Sequence, residues 1–324
     1  MIGFVMNRDR PAVQLGIIIC TRNRPKFLEN LLKSISESMV SPKQIVLVSS
    51  GIDIKDVVSI HSKNLNLKHV HTEKIGQSNQ KVIGISSLDK EIDWVFFLDD
   101  DLMLKPDTIS KALHVINRIN DTKIGGIGAR ILPIQAKLPS KIFDQKYTNM
   151  KKIGGITKSG RATKYMFDKQ IQTEWLNGAA IWRVNNLKYY DLPILNSRYA
   201  AYEDVNFSSS VAKHANLLYD PTIEVIEQID HSQAIINFSQ FKYITLWTGF
   251  LVCNLGTTKM LRFKFLTLIR SILLVRNALR PRDRISLNFN SLFVFVFEIL
   301  RLSRTKSEAR KEIVALIDRE TSTS

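Results

Sequence analysis

Short apolar runs alternate with amphipathic stretches along the first hundred residues. Runs rich in Ile, Val and Phe at 15–20, 44–48 and 94–98 are typical of strands buried on both faces. Between them, apolar residues at helical spacing predict helices from Pro25, from about Ile54 and over 78–87, with a weak strand at 68–71. Strands alternating with helices predict an α/β fold with a doubly wound, mostly parallel sheet whose ligands bind at the carboxyl ends of the strands.

The pattern continues beyond residue 105 with more polar interruptions. A helix through 109–116 precedes the segment GGIGARI, which reads as a further strand, and the polar stretch 133–172 reads as a long loop. The apolar pattern resumes at WLNGAAIWR, and Glu203 and Asp204 stand just ahead of another predicted helix. Three polar segments, TRNRP, SSGI and DDD, follow predicted strands, so we expect them to meet along one edge of the sheet.

The last third of the chain is basic and apolar at once. The 324 residues carry a net charge of +16, and residues 235–304 hold eleven Lys and Arg against two acids, a local excess of nine positive charges. Their apolar runs are shorter than the roughly 18 to 20 residues that a membrane span requires. Trp247, Phe250, Phe263, Phe265, Phe293, Phe295 and Phe297 lie in these runs. The segment predicts either helices lying on an anionic membrane or a helical subdomain packed on the main domain.

Cysteine usage narrows the class of protein. Only Cys20 and Cys253 occur, with no CxxC pair, which argues against structural zinc and a disulfide scaffold. Free thiols and the absence of a signal-like N-terminus predict a cytoplasmic protein, peripheral on the inner face of the cell membrane.

Three consecutive carboxylates end the strand WVFFL. In an extended chain Asp99 and Asp101 point the same way, so they can converge on one divalent cation while Asp100 faces elsewhere. Carboxylate oxygens suit Mg²⁺ or Mn²⁺, which usually bind through one or two carboxylates and the phosphates of a substrate. The alternative is a solvated acidic turn before the helix that follows Pro106.

The order of these segments resembles a known family. TRNRP, SSGI, GQS, FFLDDD, W-x-N-G, YED and a later His, over about residues 14–235, resemble the inverting glycosyltransferases of family 2, which have the GT-A fold. The resemblance implies an N-terminal tail 1–13, a GT-A domain 14–235 with a nucleotide-binding half 14–105 and an acceptor half 106–235, and a helical appendage 236–324.

The resemblance also implies roles for individual residues. The donor nucleotide would be bound by Thr21, Arg22, Arg24, Ser49, Gln77, Asp99 and Asp100. The metal would be held by Asp101 and Asp99, with His231 as an additional ligand, although a lone His is more often structural. Trp175, Asn177 and Gly178 would border the donor sugar and the acceptor. Asp204 would be the catalytic base with Glu203 beside it, although YED alone is more typical of a plain helix cap.

Two departures from the family pattern concern the donor. Ser49 and Ser50 stand where many members have an Asp that contacts the base, and Lys81 and Val82 stand where an Arg-Asn pair is usual. The identity of the base and of the sugar therefore stays open.

The predicted function is inverting, metal-assisted transfer of a sugar from a UDP- or dTDP-type donor to a glycan or lipid-linked acceptor, in cell-surface polysaccharide or glycolipid synthesis. A carboxylate at a helix N-terminus is favoured in its ionised form, so we expect Asp204 to be charged at neutral pH. The alternatives are an inactive sugar-nucleotide-binding protein, a nucleic-acid-binding protein suggested by the charge, and a phosphotransferase using Asp99. Interleaved apolar runs and the lack of a recognised motif argue against nucleic acid, and Met103 occupies the Thr/Val position of the phosphotransferase motif.

Overall fold

The computed structural model gives a three-layer α/β unit with additional helices at its C-terminal end. It describes residues 12–74, 76–119, 121–133, 154–157, 160, 162–163, 168–190, 192, 202–229, 238–255, 260–278 and 288–322. The described strands are β1 Leu15–Arg22, β2 Gln44–Ser50, β3 Leu67–His71, β4 Trp94–Asp99, β5 Leu102–Leu104, β6 Ile124–Pro133, β7 Ile171–Thr173, β8 Ala180–Arg183 and β9 Asn216–Glu227. The described helices are α1 Pro25–Ser36, α2 Lys55–His61, α3 Gln77–Ser86, α4 Thr108–Arg118, the 3₁₀ helix Val184–Tyr189, α5 Glu203–Val211, α6 Phe238–Asn254, α7 Met260–Ala278, α8 Phe289–Arg301 and α9 Lys306–Ser322.

The described strands form one sheet in the order β3-β2-β1-β4-β8-β6-β9-β5, with β7 on β9. The first four strands are parallel to one another, as the alternation of strands and helices predicts. Strand β8 runs antiparallel to β4 and β6, and β5 and β7 run antiparallel to β9. These three antiparallel strands are only three or four residues long, and side-chain alternation does not reveal the direction of a strand.

Both faces of the sheet are covered. Alternate residues of β1 enter different clusters: Ile17 and Ile19 pack on the side of α1 and α4, whereas Ile18 and Cys20 face the opposite side. That second cluster continues without a break to Trp247 on α6 and to the last helix. The C-terminal helices thus share a core with the sheet, and α1 begins with Pro25 in the first turn, where proline loses no hydrogen bond.

Candidate active site

Polar side chains form a row at the carboxyl ends of the four parallel strands. The register places Thr21 opposite Ser49 on β2, Cys20 opposite Asp99 on β4, and Ser49 opposite His71 on β3. The expectation that TRNRP, SSGI and DDD meet at one edge of the sheet is confirmed by this register.

The two carboxylates after Asp99 lie in a turn beyond the end of β4. Asp100 accepts hydrogen bonds from Thr21 Oγ1 at 2.7 Å and from Arg24 Nη1 at 3.2 Å, and Asp101 Oδ2 accepts from the same Arg24 nitrogen at 3.1 Å. The expectation that Asp100 faces away from Asp101 is therefore wrong. Side-chain alternation stops where the strand stops, so the two neighbours share one guanidinium group.

Asp99, the last residue of β4, has a separate set of neighbours. Gln77 Nε2 donates to Asp99 Oδ1 at 2.5 Å. Burial raises the pKa of Asp99 to about 6; Lys81 opposes the rise and Asp101 adds to it. A half-buried carboxyl group whose pKa is shifted both by loss of water and by neighbouring charges is a candidate for a functional site.

Ser49, which is expected to bind the donor nucleotide, lies near the end of β2 beside two histidines. The Ser49 side chain is fully buried, and its Oγ lies 2.8 Å from His69 Nε2 and 3.1 Å from His71 Nδ1. His69 is half-buried and His71 is exposed. The polar surface at this strand end is therefore formed by imidazoles, with Ser49 behind them.

Helix α5 begins with a strained residue. Tyr202 has φ 63° and ψ 18°, a left-handed conformation that non-glycine residues rarely adopt. Glu203 and Asp204 follow in the first turn of the helix rather than ahead of it. Strain of this kind is common at functional sites, where the surrounding structure holds it in place.

Asp204 is half-buried, and its Oδ1 accepts the backbone N–H of Val205 at 2.8 Å. Burial, and then the charge of Glu203, raise the pKa of Asp204 to about 7, although the Val205 N–H lowers it. This direction of the pKa shift is opposite to the one expected from the helix N-terminus, which favours the ionised form of Asp204. Here the loss of water and a neighbouring carboxylate outweigh the helix dipole.

Glu203 faces the protein interior. Its Oε2 lies 2.6 Å from Lys81 Nζ, and its Oε1 accepts the Tyr190 hydroxyl at 2.6 Å. The Lys81 and Glu203 side chains are 5% and 4% exposed. Burial disfavours the charge of Lys81, but Glu203 and Asp99 outweigh it and raise the pKa of Lys81 above its ordinary value. Both carboxylate oxygens of Glu203 are thus engaged by side chains of the protein.

Residues 16–168 match the model for glycosyl transferase family 2. The chain contains a glycosyl transferase family 2 domain. No curated protein matches the chain by sequence.

Solved structures show the same fold as this glycosyltransferase domain with its C-terminal helices. TarS residues 1–349 from S. aureus is 14% identical with a TM-score of 0.56, and the alignment covers 96% of this chain and 91% of that one. The same protein in complex with UDP-GlcNAc is 15% identical, with a TM-score of 0.54 and the same coverage. The mannosyltransferase PcManGT from Pyrobaculum calidifontis, in complex with GDP-Man and Mn²⁺, is 12% identical with a TM-score of 0.54. That alignment covers 96% of this chain and 86% of the mannosyltransferase chain. The fold is thus of the GT-A type.

The loop before β8 lies against Asp99. A Cβ atom at Gly178 would lie 2.6 Å from Asp99 Oδ2, so only glycine allows this approach. The Asn177 side chain donates to the backbone oxygen of Ala129 at 3.0 Å and so braces the loop. The indole Nε1 of half-buried Trp175 donates to the backbone oxygen of Thr163 at 3.0 Å.

A hydrogen-bond chain joins this loop to helix α5. The Leu176 N–H donates to Ser208 Oγ at 2.8 Å, and Ser208 Oγ donates to the backbone oxygen of Asp204 at 2.6 Å. The loop that touches Asp99 is therefore fixed to the turn of α5 that carries Asp204.

Two further residues were predicted for the site: Arg22 at the nucleotide and His231 at the metal. Arg22 lies half-buried at the end of β1, and His231 is outside the described residues. Within the described part of the glycosyltransferase domain and its helices, no group of three or more His, Cys, Asp or Glu side chains is arranged to hold a metal ion.

Sequence reasoning missed several residues that shape the site. Gln80 Nε2 donates to the backbone oxygens of Thr21 at 2.7 Å and Val48 at 3.2 Å, joining the ends of β1 and β2 to α3. Lys81 was visible only as a departure from the family pattern. Tyr190 had no signal in the sequence, because its partner Glu203 is brought to it by the fold.

Proposed function

We propose that the protein is an inverting glycosyltransferase that moves a sugar from a nucleotide-diphosphate sugar, of the UDP or dTDP type, to an acceptor hydroxyl. The family 2 domain supports glycosyl transfer in general. The observation that carries the specific proposal is the placement of half-buried Asp204, with its pKa raised to about 7, on a helix tied to the loop that touches Asp99. A group with this pKa can both accept and release a proton near neutral pH.

The chemistry assigned to Asp204 is that of a general base. The acceptor oxygen attacks the anomeric carbon of the donor while the bond from that carbon to the diphosphate oxygen breaks. The electron pair leaves with the nucleoside diphosphate, and Asp204 takes the proton of the acceptor hydroxyl. Attack from the face opposite the leaving group inverts the anomeric centre.

Glu203 and Lys81 are proposed to position this base. Their buried ion pair fixes the first turn of α5, and the Tyr190 hydroxyl holds the other oxygen of Glu203. The negative charge of Glu203 also raises the pKa of Asp204, which makes Asp204 a stronger base.

A divalent cation, Mg²⁺ or Mn²⁺, is proposed as cofactor. The described residues fit such a cation only in part. Asp99 and Asp101 supply carboxylate oxygens close enough to influence one another. Asp101 is bonded to Arg24, however, and the described side chains alone form no group of three or more ligands. Such ions commonly bind through one or two carboxylates and complete their shell with substrate phosphates and water. When bound, the cation would neutralise charge on the departing diphosphate.

The donor nucleotide is proposed to lie along the row formed by Thr21, Arg24 and the ends of β2 and β3. Gln77 and Asp99 would face its ribose side, and the imidazoles of His69 and His71 would meet the base in place of a carboxylate. The loop of Trp175, Asn177 and Gly178 would border the sugar and the acceptor, a glycan or a lipid-linked glycan of a cell-surface polysaccharide or glycolipid.

A second candidate is a protein that binds sugar nucleotides without transferring the sugar. Arg24 favours it, because its guanidinium group already neutralises Asp100 and Asp101, where a cation is expected. In that case nucleotide binding would not respond to metal, and substitution of Asp204 would have no effect on any product.

The experiment is a product assay with a panel of UDP, dTDP and GDP sugars in the presence of Mn²⁺. Release of nucleoside diphosphate, dependent on Asp204 and accompanied by inverted anomeric configuration in nuclear magnetic resonance spectra, supports the proposal. Glu37→Gln is a matched control, since this carboxylate follows the end of α1 and is 61% exposed. Retained configuration would reject direct displacement, and no turnover with any donor would favour the second candidate.

A further inference from the structure

Exposed apolar side chains are concentrated on two neighbouring helices. Of the fifteen large hydrophobic residues that are exposed in the described part of the chain, eleven lie on α7 and α8. The most exposed are Leu261 at 78%, Phe265 at 63% and Ile272 at 60% on α7, and Phe293 at 72% on α8. We call this surface the α7–α8 face. An apolar patch of this extent on a folded protein usually marks an interaction site.

The α7–α8 face is separate from the residues with which these helices pack against the core. Phe263 and Leu274 on α7 and Phe295 and Ile299 on α8 are buried against the rest of the protein. A helix that packs one face on a core normally carries polar residues on the other. These two helices are apolar on both faces, so a second apolar environment is expected to cover the outer one.

Two cavities lie in the surface between the helices. One has a volume of about 740 Å³ and is lined by apolar residues such as Leu261 and Phe265 together with Lys264 and Arg304. The other, of about 520 Å³, is lined by residues including Ile272 and Phe293. The face is therefore a grooved apolar surface with cationic groups at one end.

Basic residues outnumber acidic ones on the two helices themselves. Arg262, Arg276, Arg301 and Arg304 are exposed on or beside these helices. Glu298 is the acidic residue of the two helices, and it is bound at both oxygens by Arg319, at 2.8 and 2.7 Å. The combined surface is apolar in the middle and positively charged around it.

We propose that the α7–α8 face binds the surface of an anionic lipid bilayer, with its apolar side chains among the acyl chains and its arginines at the headgroups. A second copy of the chain would also cover the apolar residues, but it would bring two cationic rims together. A nucleic acid would satisfy the arginines and leave the apolar residues uncovered. Among the described helices none is long and apolar enough to cross a bilayer, so the helices would lie along the surface.

The structure also changes which aromatic residues can take part. Trp247, Phe250, Phe263 and Phe295, which the sequence placed with the membrane-contacting groups, are at most 3% exposed and belong to the core. Phe265, Phe293 and Phe297 are exposed. Helix α6 is thus structural, and Arg280, Arg282 and Arg284 lie outside the described residues.

The test is co-sedimentation of the full chain with phosphatidylcholine vesicles and with vesicles containing phosphatidylglycerol, across a salt series. Phe265→Asp/Phe293→Asp should weaken binding by about 100-fold, about tenfold for each phenylalanine withdrawn from the lipid. Arg262→Glu/Arg276→Glu should weaken it by about 25-fold or more at low salt, from about fivefold for each basic residue at an anionic surface. These variants change exposed positions, and circular dichroism checks their folding.

Matched controls lie outside α7 and α8, on α2 and in turns of the sheet domain. Met39→Asp/Ile60→Asp removes two hydrophobic residues of comparable exposure, and Lys63→Glu/Lys90→Glu reverses two exposed charges. Neither should change vesicle binding by more than about twofold. The proposal is overturned if the wild-type chain ignores anionic vesicles at low salt, or binds neutral vesicles equally well. It is also overturned if light scattering shows a dimer that the phenylalanine variant dissociates, without vesicle binding. The readout is binding, so it does not depend on the proposed enzyme activity.

Discussion

The buried ion pair between Lys81 and Glu203 gives the sharpest prediction about the architecture of the site. Lys81→Met keeps most of the side-chain volume and removes the charge that lies 2.6 Å from Glu203. Glu203 would then be a carboxylate that is 4% exposed, with the Tyr190 hydroxyl still donating to its Oε1 atom. An unpaired buried charge is costly because the protein interior replaces little of the solvation that water provides.

The size of the effect follows from the burial of both partners. Breaking a buried ion pair by removing one member costs about 3–5 kcal/mol of the free energy of unfolding. Replacing both members by uncharged residues of similar size is often close to neutral. Lys81→Met/Glu203→Gln should therefore recover most of the loss, since the glutamine oxygen can still accept the Tyr190 hydroxyl.

The assay is urea unfolding monitored by circular dichroism, with the midpoint and slope measured at pH 5 and at pH 8. The single Lys81→Met variant should lose more stability at pH 8, because protonation relieves an unpaired buried carboxylate only at low pH. Lys43→Met is the matched control: its ion pair with Glu91 at 3.3 Å has side chains 48% and 68% exposed, and it should cost at most about 1 kcal/mol. Equal losses for Lys81→Met and Lys43→Met, or a double variant no better than the single one, would refute the reasoning.

Three further predictions concern the cleft. Asp204→Asn should lower kcat by about two to four orders of magnitude with little change in donor KM, whereas Glu203→Gln should have a smaller effect on kcat; the reverse order would place the base elsewhere. Because the pKa of Asp204 is raised to about 7 and the base must be ionised, kcat should fall as the pH drops below about 7. The contribution of Asp204 to the free energy of unfolding should fall as the pH rises from about 4 to about 7, since a carboxyl group whose pKa is raised on folding stabilises the protein only while protonated. The difference in the free energy of unfolding between wild type and Asp204→Asn should change over the same range in urea unfolding. Gly178→Ala places a methyl group 2.6 Å from Asp99 Oδ2 and should raise donor KM by about tenfold or more, while Gly84→Ala, which meets Ile18 at 2.7 Å, should lower stability and leave KM unchanged.

The part of the fold formed by β1 to β4 could be predicted because its signals are local. Buried parallel strands appear as continuous apolar runs, and Pro25 with the apolar spacing after it identifies α1. The parallel order of β1 to β4 then brings the polar strand ends to one edge without further information. This is why the sequence placed Thr21, Asp99 and their loops together correctly.

The remaining features depend on contacts between distant parts of the chain. Glu203 and Lys81 are 122 residues apart, so their pairing and the resulting pKa of Asp204 follow from the fold rather than from any local pattern. Similarly, the buried and exposed phenylalanines of α7 and α8 look alike in sequence, because both faces of these helices are apolar. The direction of β8 also depends on tertiary pairing.

The most direct test of the central claim is the affinity of the protein for nucleoside diphosphates, measured by calorimetry with and without Mn²⁺. The account predicts that UDP or dTDP binds, that Mn²⁺ tightens this binding, and that Asp101→Asn loses the Mn²⁺ effect while keeping the wild-type unfolding midpoint. Glu37→Gln, with its exposed carboxylate, should keep the Mn²⁺ effect. Failure of every nucleoside diphosphate to bind, or an unchanged Mn²⁺ effect in Asp101→Asn, would contradict the assignment of this strand end as the donor site.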